Sequence, residues 1–186
     1  MPLPVLRLAD CPAQPWRNGG GTTRELLAWP SADAWALRLS VAEIARDGPF
    51  SAFAGVDRWF AVLAGPGVEL VWPDHVTALT SASAPLAFDG ADPPLAKLLG
   101  GASQDLNLML RRERLRGSLR RATPGLAWHS SSPLRGLYTL SAAQLQRPDA
   151  PAQELPAASL VFSDAAKPGA WSIARPAQAY WIEAQP

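Results

Sequence analysis

A chain of 186 residues that is 48% hydrophobic can bury a real core, which excludes a disordered chain. Its 17 basic and 16 acidic side chains nearly cancel, so there is no global field to draw nucleic acid or an anionic membrane. The lone Cys11 excludes an intrachain disulfide framework and fits a reducing compartment. Met1-Pro2-Leu3-Pro4 does not begin like a signal sequence and no run is long enough to span a bilayer, so a cytoplasmic location is the expectation.

Prolines and glycines, 19 and 14 of them, cut the sequence into short segments and predict a mostly β chain. The first distinctive stretch is Pro15-Trp16-Arg17-Asn18-Gly19-Gly20-Gly21-Thr22-Thr23-Arg24-Glu25. Three consecutive glycines are costly to order. They fit either a tight turn between strands or a close backbone approach, for instance to a small anion. Spacing excludes a phosphate loop, since neither G-x-x-x-x-G-K-[ST] nor a strand followed by G-x-G-x-x-G occurs.

Trp35 to Val41 alternates, placing Trp35, Leu37, Leu39 and Val41 on one face and Arg38 and Ser40 on the other. Gly48-Pro49-Phe50-Ser51 through Arg58 reads as an ordered loop with phenylalanine anchors. A buried Arg58 needs a carboxylate partner, Asp57 or Glu25, or an anionic ligand. Trp59 to Leu63, the turn Ala64-Gly65-Pro66-Gly67 and Val68 to Trp72 predict a hairpin. Further strands are expected at 78–79, 86–88, 105–112, 116–123, 135–140, 158–162 and 179–183. Short helical turns are expected at 92–99 and, capped by Ser141, at 141–146, the latter stopped by Pro148. Pro148 to Pro156 reads as an extended connector.

Within the 105–112 strand, Leu106, Leu108 and Leu110 share one face, while Asp105, Asn107, Met109 and Arg111 share the other. The polar face is either solvent surface or the wall of a barrel mouth, where Asn107 and Arg111 would converge as donors and Met109 would be a soft wall. Arg111, Arg112, Arg114, Arg116, Arg120 and Arg121 form a local basic cluster. It is either a phosphate holder or a solvated edge paired to local acids.

With only His75 and His129, a three-histidine metal site is impossible, and no G-x-S-x-G elbow supports a serine triad. No metal or cofactor is expected. Cys11 reads as a small apolar filler, with no histidine near it in sequence.

Four ordered blocks, the 15–25 stretch, the 35–42 strand, the 48–58 loop, and Phe88-Asp89-Gly90 followed by Asp105 to Arg112, resemble the HutD/Ves family of cupin-like proteins. The resemblance covers about residues 1 to 120. It implies an all-β, cupin-like double barrel (a bicupin of the RmlC-like jelly-roll kind) with few short helices, lacking the metal-binding histidines of enzymatic cupins. The expected organisation is one compact unit, 1–186, with a motif-bearing part to about 120 and a strand-rich part from about 121. Family members are associated with bacterial histidine-utilisation genes, where sensing of a formiminoglutamate-like or other small carboxylate has been suggested. The resemblance places Trp16, Asn18, Gly19, Gly20, Thr22, Thr23, Glu25, Arg38, Ser40, Ser51, Arg58, Asn107, Met109 and Arg111 around a ligand pocket. Arginine would grip the carboxylate, glycine N–H groups and hydroxyls would complete the shell, and Trp16 would cover the apolar part.

The function expected is thus metal-free binding of a small anionic metabolite, with no nucleic acid or membrane partner and a homodimer as an admissible assembly. Two alternatives stand beside it. One is a metal-independent lyase, isomerase or hydrolase with Glu25 as base beside Arg58. The other is a structural or partner-binding β protein, in which the tryptophans face an interface.

Overall fold

The interruptions by proline and glycine hold every regular segment short. Among the described residues the longest strands run nine residues, and the one helical element is a 3-10 turn, Leu8–Asp10. The protein is seen in a computed structural model describing residues 1–148, 150–174 and 177–186. Its contacts divide the chain into two units, Cys11–Leu115 and Met1–Asp10 together with Arg116–Pro186.

Strand β1 (Val5–Arg7) belongs with the later strands. The unit Cys11–Leu115 holds β2 (Gln14–Pro15), β3 (Gly21–Trp29), β4 (Leu37–Ile44), β5 (Gly48–Pro49), β6 (Val56–Ala64), β7 (Val68–Val71), β8 (Val76–Leu79), β9 (Leu86–Asp89), β10 (Leu95–Leu98) and β11 (Ser103–Arg111). They form two antiparallel sheets ordered β2-β3-β4-β11-β6-β9 and β5-β10-β7-β8. The second unit adds β12 (Arg116–Arg121), β13 (Trp128–Ser130), β14 (Leu134–Thr139), β15 (Ala143–Gln146), β16 (Gln153–Leu155), β17 (Ser159–Ser163), β18 (Gly169–Ile173) and β19 (Ala179–Gln185). Its sheets run β1-β17-β14-β19-β12 and β13-β18-β15-β16.

Counted from β4 and from β12, both units pair their strands in one order: first-eighth-third-sixth in one sheet and second-seventh-fourth-fifth in the other. This is the jelly-roll order, and the chain is an all-β double barrel of cupin-like type.

Three local expectations are overturned. The turn at Gly65 and Gly67 does not close a hairpin: β6 pairs with β9 and β11, whereas β7 pairs with β8 and β10. The chain crosses there from one sheet to the other. Gly67, at φ +107°, makes the corner, because a Cβ would lie 2.2 Å from the Leu79 carbonyl oxygen. The segments read as helical turns contain strands β10 and β15 instead, and Ser141 caps nothing, since its hydroxyl accepts from the Gln178 N–H at 3.0 Å. The Pro148 to Pro156 connector contains β16, paired with β15; Asp149 within it lies outside the described residues.

Each barrel has its own apolar filling. In the first, Ile44, Phe60, Val62, Val68, Leu70 and Trp72 pack together with Leu79 and Ala96. In the second, Leu137, Leu145, Val161, Trp171, Ile173 and Trp181 form the centre. Leu106, Leu108 and Leu110 are fully buried on the face of β11 turned away from the first filling.

Candidate functional site

Cross-strand registry builds the site. In an antiparallel sheet, directly opposed residues share a face. One row reads Arg38 (β4), Met109 (β11), Arg58 (β6) and Phe88 (β9). The next reads Ser40, Asn107 and Phe60, and a third reads Ala42, Asp105 and Val62. Opposite β4, strand β3 presents Thr23 to Ala42, Glu25 to Ser40 and Ala28 to Arg38. The last two differ by three positions rather than two because a register shift falls between Glu25 and Leu27. The polar face of β11 therefore turns into the barrel.

The mouth of this barrel is a cavity of about 550 Å³. Of the residues expected there, Trp16, Asn18, Thr23, Arg38, Ser40, Ser51, Arg58, Asn107 and Met109 line it. Gly19, Gly20, Thr22, Glu25 and Arg111 do not. Arg111 is held elsewhere, its Nε donating to the Trp35 carbonyl at 2.9 Å and its guanidinium lying 4.7 Å from the Trp35 ring centre. Glu25 is tied to Arg38, Oε2 to Nε 2.5 Å. Pro15, Arg17, Ala42, Pro49, Phe50, Phe53 and Asp105 complete the wall; of these, Asp105 had a signal in the sequence, its place on the Asn107 face.

The glycines act differently from an anion cradle. The Gly19 N–H donates to the Trp16 carbonyl at 3.0 Å and the Gly20 N–H to Asn18 Oδ1 at 2.9 Å, so both are spent inside the turn. A Cβ on Gly21 would lie 2.1 Å from the Glu43 carbonyl oxygen. The close approach is therefore to the neighbouring strand. It closes a β2–β3 hairpin whose tip brings Trp16 and Asn18 to the cavity, with Trp16 Nε1 donating to Thr23 Oγ1 at 2.8 Å.

Arg58 is 5% exposed and neither Asp57 nor Glu25 is its partner. Its Nη2 donates to Asn107 Oδ1 at 3.0 Å and its Nη1 to the Ser51 carbonyl at 3.4 Å. The guanidinium carbon lies 5.2, 5.7 and 5.0 Å from the ring centres of Phe50, Phe53 and Phe88. Nε has no partner. Burial lowers this guanidinium to about 10, against the upward pull of Asp105 and with a further push down from Arg38, so it is charged at neutral pH. Asp105, 1% exposed, receives the Asn107 side-chain amide on Oδ1. Burial pushes its carboxyl well above the usual range, against the opposing pulls of Arg58 and Asn107.

The basic cluster finds local partners. Arg112 bridges Asp57 at 2.7 Å and Asp89 at 3.0 Å, Arg114 donates to the Ala34 carbonyl, and Arg120 pairs with Glu183 at 3.3 Å. Barrels of this fold can carry metals on histidine clusters, but the donor set here does not fit one. Among the described residues Asp105 is the only carboxyl lining the cavity, with no imidazole or thiolate, and His75 instead stacks on Trp72 at 4.6 Å.

In the second barrel the matching row is Ser118, Glu183 and Arg135; Ser118 and Glu183 line another hollow of about 430 Å³, while Arg135 is fully buried. Arg135 on its third strand faces Glu183 on the eighth, as Arg58 faces Met109, and Trp181 stands where the first barrel has Asn107. Trp181 stacks on Trp128 at 4.8 Å with Trp171 edge-on to both. The Arg135 Nη donors are taken by the carbonyls of Gly169 and Lys167.

Comparison with known proteins places this architecture. The family model described as HutD matches residues 8–180. An uncharacterized 21.2 kDa protein in the hutC 3′ region of Pseudomonas putida is 39% identical over 119 residues, 63% of each chain. Protein Ves of Cronobacter sakazakii is 37% identical over 110 residues, 59% of this chain and 61% of Ves. The matched stretch thus spans about three fifths of these curated relatives. Among solved structures, a conserved protein of unknown function from Pseudomonas aeruginosa PAO1 superposes with TM-score 0.90 at 28% identity, covering 100% of both chains. HutD from Pseudomonas fluorescens SBW25, solved in a formate condition, gives 0.86 at 25%, covering 99% of this chain and 98% of that one. An oxalate decarboxylase gives 0.65 at 10%, covering 98% and 78%, a likeness of fold alone.

Proposed function

The chain belongs to the HutD family, and on that premise we propose that the Cys11–Leu115 barrel binds a small carboxylate metabolite and through it modulates histidine utilisation. The observation that carries this reading is Arg58. It is a buried, charged guanidinium in the wall of a cavity, caged by three phenylalanines and bonded only to an amide and a main-chain carbonyl. A buried cation without a directly bonded carboxylate is costly unless an anion completes it, and guanidinium matches carboxylate geometry in two parallel bonds. Trp16, Phe50, Phe53 and Met109 supply apolar wall for the rest of the ligand. The association with histidine utilisation rests on the family and on the hutC-region relative.

Titration calorimetry with formiminoglutamate, urocanate, glutamate and formate tests the reading. At least one should bind with a stoichiometry of one. Absence of heat from all four at millimolar concentration removes this ligand class.

A further inference from the structure

Asp105 is the only carboxyl among the described residues lining the cavity. Its Oδ1 is served by Asn107, but Oδ2 is buried without a partner among the described residues. An ionised carboxylate that leaves an oxygen bare in such surroundings forfeits a strong hydrogen bond, whereas a carboxylic acid has an O–H to give. Arg58 donates to the same Asn107 and keeps an unmet donor at Nε. The chain Arg58–Asn107–Asp105 is therefore unfinished at both ends.

The other charged side chains lining the cavity are Arg38 from β4, tied to Glu25 from β3, and Arg17 from the hairpin tip. Ala42 and Val62, directly opposite Asp105 in the ladders, carry none, nor do Pro49 of β5 and Phe50 just beyond it.

We propose that Asp105 and Arg58 form a one-proton clamp, in which Arg58 donates to the ligand carboxylate and the Asp105 Oδ2–H donates its proton into a hydrogen bond with a ligand oxygen. This rests on the carboxylate reading above and names how the headgroup is held: as an acid–carboxylate pair sharing one proton, beside a guanidinium. No covalent bond changes. An anion approaching an ionised Asp105 must bring one proton with it from solvent, so affinity follows the protonation of this carboxyl.

Calorimetry with formate and glutarate, whose charges are constant between about pH 7 and pH 9, reads the clamp in two buffers of different ionisation heat. In the wild type the affinity falls toward tenfold per pH unit at the alkaline end, with uptake of one proton per ligand. In Asp105→Asn, whose amide donates at every pH, the affinity is constant over the range and no proton is taken up. Where the carbon-13 shift of the Asp105 carboxyl shows it ionised in the free protein, binding by the wild type with neither pH dependence nor proton uptake overturns the clamp while leaving the carboxylate reading intact. Where that shift shows it protonated throughout, unchanged affinity in Asp105→Ala does the same. No binding of either probe, nor of the four metabolites, removes both. Should Asp105→Asn not fold, the proton count of the wild type and the affinity of Asp105→Ala decide.

Discussion

Replacing Arg58 by methionine separates binding from folding. Holding a guanidinium at about 10, well below its ordinary value, disfavours its charged form by about 3 kcal/mol, at about 1.4 kcal/mol per tenfold. The folded-state value lies below the unfolded one, so this penalty is fully present at neutral pH and fades only as pH rises above about 10. Against it stand the phenylalanine contacts, about 1–2 kcal/mol for a desolvated cation on aromatic faces, and the charged bond to Asn107, about 1.5–3 kcal/mol. The two sides nearly balance. Arg58→Met should therefore lie within about 1 kcal/mol of wild type in urea unfolding, or about 2–4 °C in Tm for a chain of this size. Carboxylate affinity, measured by calorimetry on the same sample, should drop about 30-fold or more, as when one partner of a buried charged contact is truncated. A stability loss beyond about 3 kcal/mol, or unchanged affinity, would refute the reasoning and make Arg58 a structural anchor.

Gly21→Ala forces a methyl against the Glu43 carbonyl oxygen at 2.1 Å and should cost about 1–3 kcal/mol in urea unfolding, whereas Gly20→Ala, which meets only the end of the Asn18 side chain at 3.2 Å, should cost less than about 1 kcal/mol. Because the folded-state carboxyl of Asp105 titrates above its unfolded value, its contribution is intact below the ordinary 3.8 and is lost as pH rises toward the folded value. Asp105→Asn should therefore gain Tm relative to wild type at pH 8 more than at pH 5, and an equal difference at both would contradict the assignment. Trp181→Ala empties the centre of the second barrel and should destabilise by about 3–5 kcal/mol, seen as an early unfolding transition in calorimetry.

Legibility in the sequence followed the physics that each segment obeys. The nine-residue β11 and the eight-residue β4 were readable from alternation. The four-residue β10 and β15 were not, because Leu-Ala-Lys-Leu and Ala-Gln-Leu-Gln are too short for periods of 2 and 3.6 to separate. Ser141 looked like a cap because its hydroxyl was available to some N–H, and only the tertiary fold shows that this N–H belongs to Gln178. The turn at Gly65 and Gly67 gave a hairpin signal while its role was to change sheets, a distinction that depends on partners far along the chain. Much of the cavity wall was recognisable by resemblance, including Arg58 and Asn107. Asp105 shares the face of Asn107 and Met109, but a carboxyl reads as a partner for an anion only once its burial is known. Gly19 and Gly20 were assigned to a ligand when their N–H groups serve their own turn.

The shared strand order of the two units puts one position to two uses. Arg58 and Arg135 occupy it in the two barrels, one beside an amide in a cavity wall and the other fully buried over the Trp171 ring. The pair supplies an engineering starting point, since Trp181→Asn with Ala179→Asp would write the Asn107 and Asp105 positions of the first barrel into the second, beside an arginine already in place.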